Sequence, residues 1–104
     1  MNEEYGTMGT ARFIRKDRLT DGGYYYGHCR NASIGRWCAL TQRFYYWRYK
    51  FGGEYVETIR VPEDDDGYDL FFAEAPIEKT PLIRDIPLPR ESAAPVNPDE
   101  QPKR

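Results

Sequence analysis

The apolar positions of this chain fall into short aromatic-rich runs, separated by clusters of Gly, Asp and Asn at spacings of about ten residues. Such runs cover residues 10–16, 24–30, 36–40, 43–51, 54–61 and 68–73. Aromatic and β-branched side chains favour the pleated surface of a strand. No segment shows a convincing amphipathic helical pattern. The pattern predicts an all-β, mainly antiparallel fold, a five- to six-stranded meander forming an open barrel or small sandwich, with an extended C-terminal tail.

The strongest local signal is a hairpin over residues 43–61. Its two strand-like runs flank a Gly-Gly pair at 52–53, and glycine accepts the positive φ that two-residue hairpin turns require. A turn at 52–53 fixes the register and gives the pairs Phe44–Val61, Tyr46–Ile59 and Arg48–Glu57. Two apolar pairs and one opposite-charge pair support this register. For Thr41-Gln42, just before the hairpin, a turn and a bulge remain open.

The chain divides into three parts by composition. We expect a flexible N-terminal arm at 1–9, a β domain at 10–75 and a largely disordered tail at 76–104. Seven of the eight prolines lie at or after residue 76, and proline-rich polar segments bury too little apolar surface to fold. Some Leu and Ile residues persist up to residue 88, so the segment 76–90 is able to dock on the sheet.

Charge is distributed unevenly along the chain. Residues 1–60 carry ten Lys or Arg against six acidic residues, and residues 61–104 carry five against eleven. The whole chain has a net charge of −2, which argues against general binding of phosphate backbones. No apolar run approaches the ~20 residues of a membrane span, and the N-terminus lacks a signal-peptide pattern. We therefore expect a cytoplasmic protein with no membrane partner.

The sequence contains no recognisable catalytic motif. His28, Cys29 and Cys38 are its only His and Cys residues, and the usual zinc-ligand spacing is absent. A Cys29–Cys38 disulfide is possible in geometry but disfavoured in a reducing cytoplasm. The acidic run 63–69 does not match a calcium loop, so we favour a solvated turn over a weak divalent-cation site. We expect no enzyme, no cofactor and no metal.

Aromatic and basic residues lie side by side in the strands 36–40 and 43–51. A thin sheet has only one core side, so some of these rings must be covered by the tail or offered to a partner. The candidate partner-binding residues are Arg36, Trp37, Arg43, Tyr45, Trp47, Arg48, Tyr49 and Lys50.

Two functions fit that surface. The favoured hypothesis is a non-enzymatic module that binds a protein partner or itself, because Tyr, Trp and Arg dominate protein interfaces. The alternative is single-stranded nucleic-acid binding by base stacking and Arg or Lys contacts. The small size, the compact β core and the lack of catalytic motifs also resemble small accessory proteins of phages and mobile elements, including inhibitors of host defence.

Overall fold

The computed structural model describes residues 4–65, 67 and 69–89. Within these residues the seven strands are β1 Tyr5–Met8, β2 Ala11–Ile14, β3 Tyr24–His28, β4 Ile34–Cys38, β5 Arg43–Lys50, β6 Gly53–Ile59 and β7 Phe72–Ile77. One 3-10 turn, Lys16–Arg18, follows β2. The all-β, mainly antiparallel fold class is confirmed. The disorder predicted for the end of the tail concerns residues outside the described part of the chain.

Five strands form one sheet in the order β6-β5-β4-β3-β7, with every neighbouring pair antiparallel. Strands β3 to β6 form the predicted meander, and β7 returns to lie beside β3. β1 and β2 form a separate two-stranded sheet, and Phe13 of β2 makes an edge-on ring contact with Phe72 of β7. The strands of the described residues do not close into a barrel.

Two predicted boundaries differ from the structure. The N-terminal arm contains strand β1, because Gly6 and its neighbours pair with β2 and the glycine lies against the ring of Phe13. The last strand runs over Phe72–Ile77 rather than 68–73 and therefore includes Pro76. Proline is tolerated there because β7 is an edge strand and proline lacks only the N–H that would serve a further neighbour.

The predicted register of the β5–β6 hairpin is wrong by two residues. Phe51 and Gly52, with φ angles of 55° and 77°, form the turn instead of Gly52 and Gly53. The ladder contains the pairs Phe44–Ile59, Tyr46–Glu57, Arg48–Tyr55 and Lys50–Gly53. A shift of two residues leaves every side chain on its predicted face, since side chains alternate with period two.

Contacts outside the hairpin explain the observed register. Because β6 ends at Ile59, Arg60 is free to form a parallel bridge with Leu70, and Phe71 donates its N–H to the Arg60 carbonyl at 3.0 Å. Val61 is then buried in the core. In the predicted register Val61 would instead pair with Phe44 in the ladder, and this bridge would be lost.

The large sheet buries side chains on both faces. On the face that we call the core face, residues of the N-terminal hairpin and of the connection 60–71 cover the sheet. This cluster contains Ile14, Tyr25, Trp37, Phe44, Tyr46, Ile59, Val61, Phe71 and Ala73. On the opposite face, called the strap face, Tyr24, Cys38 and Tyr45 pack with Ile86 and Leu88. Both faces of β5 therefore carry buried aromatic rings.

Candidate interaction surface

The strap face is covered by the segment 83–88, which we call the tail strap. It has no regular secondary structure, yet Leu88 is fully buried and Ile86 nearly so. Trp47 and Val56 lie at the border of this cluster. The described part of the segment 76–90 thus supplies apolar side chains that cover one side of a thin sheet, and burying each of them stabilises the fold by about 1.5–3 kcal/mol.

Polar contacts hold the tail strap in place. The Ile86 N–H donates to the Tyr24 hydroxyl at 2.9 Å, and the Arg36 guanidinium donates to the Ile86 carbonyl at 2.7 Å. The Trp47 Nε1–H donates to the Asp85 carbonyl at 2.8 Å. Buried main-chain groups of an irregular segment require such partners, because leaving one unpaired is costly. The strap is therefore an ordered part of the domain.

The strap also carries charges that meet the hairpin. The Arg84 guanidinium lies 3.7 Å above the Trp47 ring centre and donates to Glu54 Oε1 at 2.9 Å. Asp85 accepts from the Lys79 ammonium at 2.7 Å, and this hydrogen bond together with the positive charge lowers the pKa of Asp85. These contacts are exposed and add orientation more than stability.

The structure removes the largest predicted partner-binding rings from the surface. Trp37 lies in the core-face cluster and Tyr45 in the strap-face cluster, both buried. Trp47 is partly covered by Arg84 and bonded to the strap. Trp37 and Tyr45 are therefore core residues, which corrects their prediction as contact residues; a core poor in aliphatic side chains requires them.

The predicted basic residues have different surroundings. Arg36 donates to Gly22 and Ile86 carbonyls, and Arg48 pairs with Glu57 at 3.2 Å. Arg43 makes a 3.5 Å contact with the Thr58 hydroxyl. The ammonium of Lys50 lies 5.0 Å from the centre of the Phe51 ring, in an exposed position. Arg36 and Arg48 thus make their contacts within the fold.

Three aromatic side chains are left exposed together at the end of the β5–β6 hairpin. Phe51 is 93% exposed, Tyr49 69% and Tyr55 41%. Tyr49 projects on the strap face, Tyr55 on the core face, and Phe51 occupies the turn between them. We call these three residues the hairpin tip. Only Tyr49 was among the predicted site residues; Phe51 and Tyr55 were missed.

The hairpin tip extends beyond the rest of the sheet. The ladder between β4 and β5 ends at Arg36–Tyr45, whereas the ladder between β5 and β6 continues to Lys50–Gly53. The last five residues of β5 therefore belong to a two-stranded ribbon about 17 Å long.

Phe51 occupies the first position of the two-residue turn, where Asn is the usual residue. A Phe directly before Gly was therefore the sequence signal for an unusual turn.

A polar network stiffens one side of this ribbon. The Tyr55 hydroxyl donates to Glu57 Oε1 at 3.0 Å, and Arg48 donates to the same carboxylate. The hydrogen bond to Glu57 raises the pKa of Tyr55, so this hydroxyl stays protonated. Tyr46 lies two residues before Arg48 on β5, farther from the turn, and burial raises its pKa. The network orients Tyr55 without hiding its ring.

The candidate metal and nucleophile residues form no catalytic arrangement. Cys29 and Cys38 are free thiols, and burial raises the pKa of Cys29, which makes it a poor nucleophile. His28 Nδ1 lies 2.9 Å from Glu74, and its ring stacks on Phe72. Among the described residues, no group of three or more His, Cys, Asp or Glu side chains is placed to hold a metal ion.

The described part of the acidic run 63–69 makes contacts within the chain. Glu63 accepts the Lys16 main-chain N–H, and Asp64 accepts the Lys16 ammonium at 2.7 Å. Asp65 caps the N–H of Gly67 at 3.1 Å. Asp66 and Tyr68 lie outside the described residues. The run thus attaches the connection 60–71 to the 3-10 turn.

Comparison with protein-family models, with curated proteins and with solved structures finds no match to this chain. Within the described ranges, no helix has the length and apolar character needed to cross a membrane.

Proposed function

We propose that this protein is a non-enzymatic interaction module whose hairpin tip inserts into a concave surface of a protein partner. The observation that carries the proposal is the exposure of Phe51 together with its left-handed main-chain conformation. Its side chain is 93% exposed and its main chain has a φ of 55°, where a non-glycine residue costs roughly 1–2 kcal/mol. A strained, exposed Phe adds little to folding, and such outliers are typical of functional sites.

The shape of the tip supports insertion into a cleft. Aromatic side chains project from both faces of the ribbon and from its end, so a flat surface could cover only one of them. A cleft would desolvate all three, and buried aromatic anchors supply most of the energy of protein interfaces. The ladder between β5 and β6 fixes the main chain of the tip, and the polar network orients Tyr55 before binding, which lowers the entropic cost.

The charges near the tip favour a protein over single-stranded nucleic acid. Lys50 stands beside Phe51, but Glu54 and Glu57 lie on either side of Tyr55 along β6. Arg48 is neutralised by Glu57 and Arg84 by Glu54. Among the described residues near the tip, phosphates would therefore meet only Lys50 as a cation without a carboxylate partner, which is weak support for backbone binding.

The experiment is affinity capture from a lysate of the source organism, with identification of both proteins and nucleic acids. Tyr49→Ser changes the tip, and Tyr26→Ser is the matched control because Tyr26 is 51% exposed on β3. We expect one protein to be retained by the wild type and the control and lost with Tyr49→Ser. Retention of nucleic acid instead, sensitive to salt, would support the nucleic-acid alternative and contradict the proposal.

A further inference from the structure

The two edges of the large sheet are built differently. The outer edge of β7 is interrupted by Pro76, and its pairing with β3 shifts between Tyr26 and Gly27. Proline and bulges are devices that stop an edge strand from pairing with another chain. The opposite edge, β6, has seven residues in unbroken register with β5 and contains neither proline nor lysine. This edge is regular, and its charged side chains are Glu54 and Glu57.

The ladder register shows which main-chain groups of β6 are open. Residues next to a two-residue turn exchange hydrogen bonds, and such pairs alternate with non-bonded ones. The N–H and C=O groups of Glu54, Val56 and Thr58 therefore point away from β5. In the part of the chain that the structure describes, no main-chain partner reaches them.

The open stretch has defined ends. Arg60 points to the same side as Thr58, but its carbonyl accepts from Phe71 and it bridges Leu70. At the other end the chain turns at Phe51 and Gly52. Five residues, 54–58, are thus available, and Val56 lies at their centre.

We propose that the β6 edge pairs with the β6 edge of a second copy of this chain, antiparallel and with a two-fold axis at Val56. Each copy then places Glu54 opposite Thr58 of the other, and Tyr55 opposite Glu57 of the other. Identical patches that contact each other are the usual basis of closed dimers. The pairing would join the two five-stranded sheets edge to edge.

Charge and hydrogen-bond geometry select this register. Centring the axis on Glu54 or on Glu57 would place two identical carboxylates directly opposite each other, which is destabilising. Centring it on Tyr55 would leave Thr58 opposite the turn. Only the Val56-centred register uses all three outward-facing residues of both copies, for about six hydrogen bonds. It also brings two Val56 side chains together on the strap face.

The second copy is preferred over the chain's own end as the occupant of this edge. Residues 91–104 carry prolines at 95, 98 and 102, so the proline-free runs among them are short. Proline cannot donate to a ladder. The inference shares the hairpin with the proposed function but rests on the main-chain edge and not on the exposed rings.

The test is sedimentation equilibrium of the full chain from micromolar to millimolar concentration, since a five-residue edge predicts a weak dimer. Thr58→Lys places opposite charges across both symmetry-related pairs, and Thr58→Glu places like charges there. We expect the first to tighten and the second to weaken the dimer, by about fivefold or more. Thermal melting confirms that each variant is folded.

Val56→Pro supplies the second arm, because its lost N–H points away from β5 and the hairpin ladder stays intact. We expect Val56→Pro to be monomeric and Val56→Thr to dimerise like the wild type. A monomeric wild type at millimolar concentration, equal shifts for both Thr58 variants, or a Val56→Pro dimer would each overturn the inference. So would a dimer that forms only after truncation at Arg90. Val56→Pro leaves Tyr49, Phe51 and Tyr55 of the hairpin tip in place. Its capture of a protein partner is therefore measured separately, so that loss of the dimer is distinguished from loss of the proposed function.

Discussion

The indole Nε1–H of Trp47 donates a hydrogen bond to the main-chain carbonyl of Asp85 at 2.8 Å. Trp47 lies on the longest strand, and Asp85 lies in an irregular segment well after the last strand. The bond therefore joins the strap to an aromatic sheet face that the sequence predicts to be covered either by the tail or by a partner. The chain covers most of its second aromatic face with its own residues, and the exposed aromatic surface is concentrated at the hairpin tip.

The first prediction concerns the strap as part of the core. Leu88→Ala should lower the free energy of unfolding by about 2–5 kcal/mol, because a fully buried leucine leaves a cavity when truncated. Urea denaturation measures the change. Leu82→Ala is the matched control, since Leu82 is 95% exposed, and it should leave stability unchanged. Equal stability of the two variants would show that the strap does not pack.

The second prediction concerns pH. The Lys79 hydrogen bond lowers the pKa of Asp85 in the folded state below its ordinary value of 3.8. Around and below pH 4 the unfolded chain therefore binds more protons at Asp85 than the folded chain does. The contribution of the Lys79–Asp85 pair to stability is present above about pH 4 and is lost on acidification. Tryptophan fluorescence, to which Trp37 in the core and Trp47 beneath the strap both contribute, should change during acid titration as the strap loosens.

The Asp85→Asn variant is the control for that titration. It removes the carboxylate but keeps the main-chain carbonyl that accepts from Trp47, so its stability should show a smaller decrease between pH 5 and pH 3 than that of the wild type. Identical acid profiles for the two proteins would refute a role for the Lys79–Asp85 pair.

The third prediction compares two glycines in strands. A Cβ on Gly27 would lie 2.3 Å from the Phe72 carbonyl oxygen, whereas a Cβ on Gly53 would meet nothing within 4 Å. Gly27→Ala should therefore destabilise the β3–β7 pairing by about 1–3 kcal/mol, and Gly53→Ala should be nearly neutral. Thermal unfolding of both variants distinguishes them. A neutral Gly27→Ala would contradict the observed pairing of β3 with β7.

The positions of the four strands of the meander, β3 to β6, could be predicted because local composition determines them. Aromatic runs between Gly and Asp clusters mark β3 to β6, and side-chain alternation gives the correct faces of the hairpin. Its register could not be predicted, since a shift of two residues preserves that alternation. The choice depends on the bridge between Arg60 and Leu70, which lies outside the hairpin and is not visible in its local pattern.

The candidate site was predicted only in part for a similar reason. The sequence indicates that β5 carries rings on both faces, but not which face the chain covers itself. Ile86 and Leu88 lie in a proline-rich segment without periodicity, so nothing local marks them as buried. Phe51 was assigned to a strand because aromatic residues favour strands. The left-handed turn that exposes it follows from the register.

The role of the hairpin tip is tested most sharply by Phe51→Asn. Asn-Gly is the preferred pair for a turn with two positive φ angles, so the variant should unfold with a free energy about 1 kcal/mol higher than the wild type. The same variant should bind the captured protein partner with about 30-fold lower affinity, because an anchoring ring is lost. Leu40→Asn is the matched control, since Leu40 is 70% exposed elsewhere on the surface, and it should leave binding unchanged. We expect Phe51→Asn to be more stable and to lose binding, whereas full binding by this variant would show that the tip does not anchor a partner.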